Sequence, residues 1–117
     1  MKPVRLRPLA RQDRRDEIRY YRNEAGPGVA TVLAGKLQEA LGVIGENPGI
    51  GSPILGQVIG IDGMRTWLVD GFPLTFWYFE REKFVDVARL VGQRQDPLLI
   101  DPGGIQANPT TSGKLRT

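Results

Sequence analysis

The chain has 117 residues, of which 40% are hydrophobic and 25% charged, and it contains neither cysteine nor histidine. That length fits a single domain with a real hydrophobic core. The missing cysteines exclude disulfides, thiol nucleophiles and thiolate metal sites, and the missing histidines remove the commonest metal ligand and general base. No apolar run approaches the roughly 20 residues of a membrane span, so we expect a soluble, cytoplasmic protein without membrane contact.

Positive charge is concentrated at the start of the chain. Residues 1–22 carry eight basic and three acidic side chains, whereas the rest of the chain carries eight basic and ten acidic ones. Twelve of the sixteen basic residues are arginine, which suits the two-pronged binding of carboxylates and phosphates. Such a charge run is either a solvated helix face or a surface for an acidic partner, protein or nucleic acid.

The first half of the chain predicts a strand and two helices. Residues 4–9 alternate apolar and polar side chains, which is typical of a short strand, and residues 10–25 form a charged, helix-permitting stretch. Gly26-Pro27-Gly28 separates it from a second helix, so the two helices should run antiparallel. The apolar positions of the second helix follow helical spacing and are Val29, Val32, Leu33, Leu37, Ala40, Leu41 and Ile44.

The second half predicts a loop and three strands. Residues 47–63 hold five glycines and two prolines, which indicates a loop with at most a short strand near Val58 and Ile59. Three strands in hairpin order follow, over residues 64–69, 74–79 and 84–91. Helices on one side of an antiparallel sheet make an α+β fold in the order β-α-α-β-β-β. Residues 1–97 would form the domain, and residues 98–117 are predicted to be a disordered tail.

Familiar enzyme chemistry finds few residues here. Ser52 and Ser112 have no histidine to activate them, although a serine–lysine pair stays open. The glycines match neither a dinucleotide-binding nor a phosphate-binding loop, so no cofactor is expected. Two sets of neighbouring carboxylates lie among arginines or lysines, with which they are predicted to form ordinary surface ion pairs. The sets are Asp13 with Asp16 or Glu17, and Glu80 with Glu82.

Arginines on the predicted strands are the remaining candidates for binding. Arg65, Arg89 and Arg94 could converge on one face of the sheet and bind phosphate or carboxylate. In the alternative interpretation, Arg89 merely interrupts an edge or a solvent face. Trp67 and Trp77 are predicted to belong to the core rather than to a platform for stacking bases.

The order of these elements, together with two short motifs, resembles a known family. The motifs are Asn47-Pro48-Gly49-Ile50-Gly51 after the second helix and Val91-Gly92-Gln93-Arg94-Gln95-Asp96 at the end of the last strand. Over about residues 3–97 the chain resembles the ParE branch of the RelE/ParE toxins of bacterial type II toxin–antitoxin systems. The resemblance implies two antiparallel helices packed on a twisted antiparallel sheet.

The resemblance also implies a partner, a ParD-like antitoxin whose flexible segment wraps the toxin. The basic first helix would suit an acidic segment of the antitoxin. The apolar strips between the helices and the sheet would suit its hydrophobic anchors. We expect antitoxin contact at Arg14, Tyr21, Val32, Leu33 and Leu37. Sequence-specific DNA binding is not expected without the antitoxin.

Two activities occur in the superfamily that the chain resembles: inhibition of DNA gyrase and ribosome-dependent cleavage of messenger RNA. Here the loop before Arg65 has no lysine, Gly92 stands where many relatives carry histidine, and no tyrosine follows Tyr78. Acid and base groups are therefore scarce, which favours a gyrase inhibitor that is not an enzyme. Arg65, Arg89 and Arg94 would form its target surface.

Two alternatives stay open beside the gyrase inhibitor. One is an mRNA endonuclease that uses the same arginines on the scissile phosphate. The other is an inactive homologue that acts as an antitoxin-binding module. Arg14, where many relatives carry an apolar residue, and Gly92 are departures from the family pattern that would fit a weakened toxin.

Overall fold

A computed structural model describes residues 1–92 and Ile105. Two long helices pack on a four-stranded sheet, and the predicted α+β class and β-α-α-β-β-β order are confirmed. The elements are β1 (Val4–Leu6), α1 (Pro8–Ala25), α2 (Pro27–Glu46), a 3-10 turn (Pro48–Ile50), α3 (Ile54–Ile59), β2 (Arg65–Leu68), β3 (Leu74–Glu80) and β4 (Val85–Gly92).

Prolines and a glycine set the boundaries of the two long helices. Helix α1 begins at Pro8. Proline suits this position because it has no backbone N–H, and an N–H in the first turn would have no partner within the helix. The predicted strand over residues 4–9 is therefore shorter than expected. Gly26, at φ 94°, takes a backbone conformation that other residues rarely adopt and turns the chain directly into α2 at Pro27.

The sheet has the strand order β1-β4-β3-β2. The last three strands form the predicted antiparallel meander. Strand β1 pairs in parallel with β4, with Val4 opposite Val85, so the complete sheet is mixed. A register shift between Trp77 and Tyr78 places an extra residue of β4 in the ladder.

Apolar side chains fill both sides of the sheet. The inner cluster lies between the helices and the sheet and contains Leu33, Leu37, Ile44, Phe76 and Tyr78, among others. The outer cluster lies on the opposite face and consists of Ile61, Met64, Trp77, Phe79, Ala88, Val91 and Ile105. The prediction that the tryptophans are core residues holds, since Trp77 is fully buried and Trp67 packs, partly buried, against the inner cluster.

The segment between α2 and β2 contains a helix where a strand was considered. The prediction of a short strand near Val58 and Ile59 is wrong, because both residues belong to α3. Leu55 and Ile59 are four residues apart, so in a helix they lie on the same face, and both pack on the outer cluster. Gly60, in a left-handed conformation, ends the helix.

The predicted disordered tail, residues 98–117, lies outside the described residues with the exception of Ile105. The side chain of Ile105 is 1% exposed and belongs to the outer cluster.

Candidate functional site

Arg65 is held against the loop that follows α2. Its Nη1 donates a hydrogen bond to the carbonyl oxygen of Gly51 at 2.7 Å, and its side chain is partly buried. The guanidinium therefore has a structural partner within the chain. Its position at the start of β2 brings it beside Tyr78, with which it is paired in the sheet.

Arg89 is committed to an ion pair with Asp13 of α1. Its Nε and Nη2 donate to the two carboxylate oxygens at 2.7 and 3.1 Å, and both side chains are less than one-fifth exposed. The hydrogen bond and charge of Asp13 raise the pKa of Arg89 although burial opposes the rise. The predicted surface ion pair of Asp13 with its helix neighbours is thus replaced by a long-range, largely buried contact.

Asp13 also compensates for the shortness of β1. Strand β1 pairs with Val85–Val87, and within residues 1–92 no other strand pairs with this edge of β4 beyond that point. The Asp13 carboxylate accepts the backbone N–H of Leu90 at 3.0 Å and so satisfies part of that edge. No local sequence pattern indicates this role, because it depends on where α1 crosses the sheet.

The predicted convergence of the arginines does not occur for the two that are described. Arg65 is paired with Tyr78, and Arg89 with Trp77. Tyr78 and Trp77 are successive residues of β3 whose side chains enter the inner and the outer cluster respectively. Arg94 lies outside the described residues.

Tyr78 fastens the Pro48–Ile50 turn to the sheet. Its hydroxyl accepts the N–H of Gly51 at 2.9 Å and donates to the carbonyl oxygen of Pro48 at 2.7 Å. Burial raises the pKa of Tyr78, against the lowering effects of the Gly51 hydrogen bond and Arg65, so the phenol stays protonated at neutral pH. Two residues of the first motif, Pro48 and Gly51, therefore serve to build the fold.

A second, largely buried charge cluster joins the residue after β1, strand β4 and the turn between β3 and β4. Asp86 accepts two hydrogen bonds from Arg7, each 2.9 Å long, and two from Arg81 at 2.7 and 3.1 Å. Both guanidiniums also lie over the ring of Phe79. Burial alone would raise the pKa of Asp86, but the two arginines together lower it. This cluster was not predicted, although the isolated Asp86 within an apolar strand was an available sequence signal for it.

The residues expected to contact an antitoxin divide into two groups. Leu33 and Leu37 are fully buried in the inner cluster and present no surface to a partner, because α2 turns this side toward the sheet. Val32 is 55% exposed on the opposite side of α2, and Arg14 and Tyr21 are partly exposed on α1. Tyr21 packs edge-on against Phe72 and against the exposed Tyr20. An accessible surface of the two helices therefore includes Arg14, Tyr20, Tyr21 and Val32.

Gly92 adjoins a buried carboxylate. A Cβ placed on Gly92 would lie 3.4 Å from Oε2 of Glu17, whose side chain is on α1, and 3.1 Å from Leu74. Glu17 is 4% exposed. A larger residue at position 92 would therefore meet the inner side of α1.

Neither of two surface clefts assembles a catalytic pair. Among the described residues that line a cleft of about 610 Å³ beside β2, Asp70 alone is charged, and it is bound to Lys36 at 3.0 Å. A second cleft, of about 480 Å³ beside α3, has one charged residue, Asp62, in the part of its lining that the structure describes. Ser52, in the first cleft, accepts the N–H of Ile54.

Within residues 1–92 and Ile105, no three acidic side chains come together in a way that would hold a metal ion. Among the helices of that part, none has both the length and the apolar character needed to cross a membrane.

Comparisons with known proteins agree with this architecture. A solved structure described as the chromosomal ParDE TA system from P. aeruginosa is similar, with a TM-score of 0.67 and 19% sequence identity, covering 79% of this chain and 96% of that chain. At this identity the likeness concerns the fold. No curated protein sequence matches the chain significantly.

The sequence model of one protein family, described as ParE toxin of type II toxin-antitoxin system, parDE, matches residues 4–97. This match takes in every helix and strand described above. The chain therefore belongs to the ParE toxin family of type II toxin–antitoxin systems.

Proposed function

We propose that this ParE-type toxin acts in the cytoplasm by inhibiting DNA gyrase, and that a ParD-like antitoxin neutralises it. One observation carries the choice of gyrase inhibition over RNA cleavage. Among the described residues, the side chains that a nuclease would need for catalysis already form hydrogen bonds or ion pairs with other groups of the chain.

RNA cleavage requires a group that moves protons and cations that stabilise the phosphate in the transition state. Tyr78 is buried, uses its hydroxyl twice and has a raised pKa, so it is a poor base. Arg65 is bound to Gly51, and Arg89 to Asp13. The chain also contains no histidine. These features support a toxin that works by binding.

Antitoxin binding is proposed for the outward side of the two helices. Val32 and Val29 are exposed one turn apart on α2, and Tyr20 is 38% exposed near the end of α1. Arg15, Arg19 and Arg22 are exposed on α1. Exposed apolar side chains beside arginines suit an amphipathic segment that carries acidic residues.

Of the three arginines predicted to contact the target, Arg65 and Arg89 are already engaged within the chain, so Arg94 is the main proposed contact and the other two are secondary ones. Replacing Arg89 also breaks the ion pair with Asp13, so its variant reports on folding as well as on binding. Arg94→Glu is the test variant, and Arg15→Glu, at an exposed position on α1, is its matched control when the chain is induced alone. We expect Arg94→Glu to reduce toxicity while Arg15→Glu leaves it unchanged.

The function is tested by inducing the chain alone and pulse-labelling DNA and protein synthesis in the following minutes. Thymidine incorporation should fall first, and the purified chain should inhibit supercoiling by purified gyrase. Adding the cognate antitoxin should restore supercoiling. If methionine incorporation falls first and mRNA is cut within codons, the chain is an endonuclease. If neither process changes while the antitoxin still binds, the chain is an inactive binding module.

A further inference from the structure

Aspartate is followed directly by glycine at two places in the sequence, and both lie in exposed turns. Asp62-Gly63 lies between α3 and β2, and Asp70-Gly71 lies between β2 and β3. Both glycines have a positive φ, of 79° and 81°. Because glycine has no side chain, nothing on it shields the backbone nitrogen from the carboxyl group of the preceding aspartate. At both turns an aspartate can therefore react with its own backbone.

The reaction open to such a pair is cyclisation to a succinimide. The backbone nitrogen of the glycine loses its proton and bonds to Cγ of the aspartate, while the hydroxyl group of the carboxylic acid leaves Cγ and departs with that proton as water. Water then adds to either carbonyl of the ring. Opening at Cγ restores aspartate, and opening at the main-chain carbonyl gives isoaspartate, whose backbone runs through Cβ and Cγ. The cycle needs no reactant other than water.

The carboxylate of Asp70 is held by an ion pair. Its Oδ2 accepts a hydrogen bond from Nζ of Lys36 at 3.0 Å, and this contact raises the pKa of Lys36. The turn itself is fixed to the sheet, because the N–H of Val69 donates to the carbonyl oxygen of Leu74 at 2.8 Å. To cyclise, Asp70 must therefore leave the ammonium group and distort a turn that two paired strands hold.

Asp62 is under less constraint. Within the part of the chain that the structure describes, its carboxylate forms no ion pair or hydrogen bond, and neither does the N–H of Gly63. The turn is closed by a hydrogen bond of 3.3 Å from the N–H of Met64 to the carbonyl oxygen of Ile61. Asp62 also lines the cleft beside α3, which gives its side chain room to rotate. The structure therefore favours cyclisation at Asp62 over cyclisation at Asp70.

The turn at Asp62 lies between two core residues. Ile61 and Met64 are 4% and 1% exposed, and both belong to the outer cluster. Isoaspartate at position 62 would add one carbon atom to the backbone that joins them. Closely packed interiors accommodate such a displacement poorly, so the modified chain should be less stable than the parent.

We propose that Asp62-Gly63 is a site of spontaneous aspartate isomerisation in the folded toxin, and that the Lys36 ion pair protects Asp70-Gly71 from the same reaction. The modification weakens the outer cluster, and toxin that has aged unfolds more readily than fresh toxin. The inference concerns the folded chain alone and stands whether or not the toxin acts on gyrase.

The test follows full-length protein during prolonged incubation at neutral pH. Isoaspartate has the same mass as aspartate, so peptides are separated by chromatography and identified by electron-transfer fragmentation. We expect isoaspartate to accumulate at position 62 and to form more slowly at position 70. Asp16, which glutamate follows on α1, is the internal control and should stay unmodified. In urea the two Asp-Gly pairs should react at similar rates, because the structural difference between them is removed.

Two variants separate the parts of the proposal. Asp62→Glu keeps the charge but requires a larger, less favourable ring, so it should stay unmodified at position 62 and should lose less stability on ageing than the parent, as measured by urea unfolding. Lys36→Met should speed isomerisation at Asp70 at least about twofold and leave the rate at Asp62 unchanged. Faster isomerisation at Asp70 than at Asp62 in the native parent, or none at Asp62 in the native protein, would overturn the proposal. An unchanged rate at Asp70 in Lys36→Met would overturn the protective role of the ion pair.

Discussion

The backbone N–H of Gly51 donates to the hydroxyl of Tyr78 at 2.9 Å, and an added Cβ at Gly51 would lie only 2.5 Å from that oxygen. The same Cβ would lie 2.8 Å from the carbonyl oxygen of Thr66, a backbone atom that has little room to move. The glycine that ends the motif after α2 is therefore required by close packing of the loop on the sheet.

Gly51→Ala should destabilise the domain by about 2 kcal/mol, since overpacking of a rigid site usually costs about 1 to 3 kcal/mol. Urea unfolding followed by circular dichroism measures the change. The double variant with Tyr78→Phe removes the atom nearest the new methyl group. We expect the two effects to be less than additive, and strict additivity would show that the contact with Tyr78 does not cause the strain.

Asp13→Asn should lower the free energy of unfolding by about 2 to 3 kcal/mol. The change leaves the largely buried guanidinium of Arg89 without its counter-charge, and breaking one partner of a fully buried pair costs about 3 to 5 kcal/mol. Asp16→Asn on the same helix is the matched control, because the Asp16 side chain is 52% exposed and its contact with Arg19 spans 3.9 Å. The control should change stability by less than about 0.5 kcal/mol.

Local patterns in the sequence were sufficient to predict most of the fold. The spacing of apolar residues in α2 and the Pro and Gly residues at the helix boundaries predicted both long helices. The strand meander followed from its turns. The pairing of β1 with β4 could not be predicted, because it joins residues about 80 positions apart and no local signal specifies it.

The partners of the charged residues, in contrast, could not be predicted from the sequence. Arg89 was expected at a binding surface and Asp13 in a surface ion pair, but the two bind each other from positions 76 residues apart. Leu33 and Leu37 followed the helical period correctly, yet a period does not tell whether an apolar face meets the sheet or a partner. The helical segment at Ile54–Ile59 was missed because its burial depends on contact with the outer cluster.

Stability should fall at acid pH through Asp86. Its pKa in the folded protein is lowered by Arg7 and Arg81 despite the opposing effect of burial, whereas an unfolded aspartate titrates near about 3.9. The stabilisation is therefore complete above the unfolded pKa and is lost as the pH falls from there through the lower folded value. Unfolding free energies measured between about pH 3 and pH 7 should show this loss. Asp86→Asn should be less stable at pH 7 and should show a flatter dependence on pH below about 4.

Two glycines inside α2 offer a gain in stability. Apart from its chain neighbours and the backbone of α2 itself, a Cβ at Gly35 or Gly42 would meet no described heavy atom within 4 Å, and alanine favours a helix over glycine by about 1 kcal/mol. Gly35→Ala and Gly42→Ala should each raise the free energy of unfolding by about 0.5 to 1 kcal/mol. Gly45→Ala is the control in the same helix, because its Cβ would lie 3.0 Å from side chains of both Met1 and Val4. A gain in stability for Gly45→Ala would contradict the packing argument.

The outward side of α2 should determine antitoxin affinity. Val32 is 55% exposed, so Val32→Asp should leave the fold intact while it places a charge where an apolar anchor of the antitoxin would bind. We expect the dissociation constant of the purified pair, measured by calorimetry, to rise at least about tenfold, equivalent to about 1.4 kcal/mol. Leu68→Asp, at a 62% exposed position on β2, makes the same kind of change away from α2 and should bind as the parent chain does. If Leu68→Asp weakens binding and Val32→Asp does not, the antitoxin occupies the edge of the sheet and the helical surface is the wrong one.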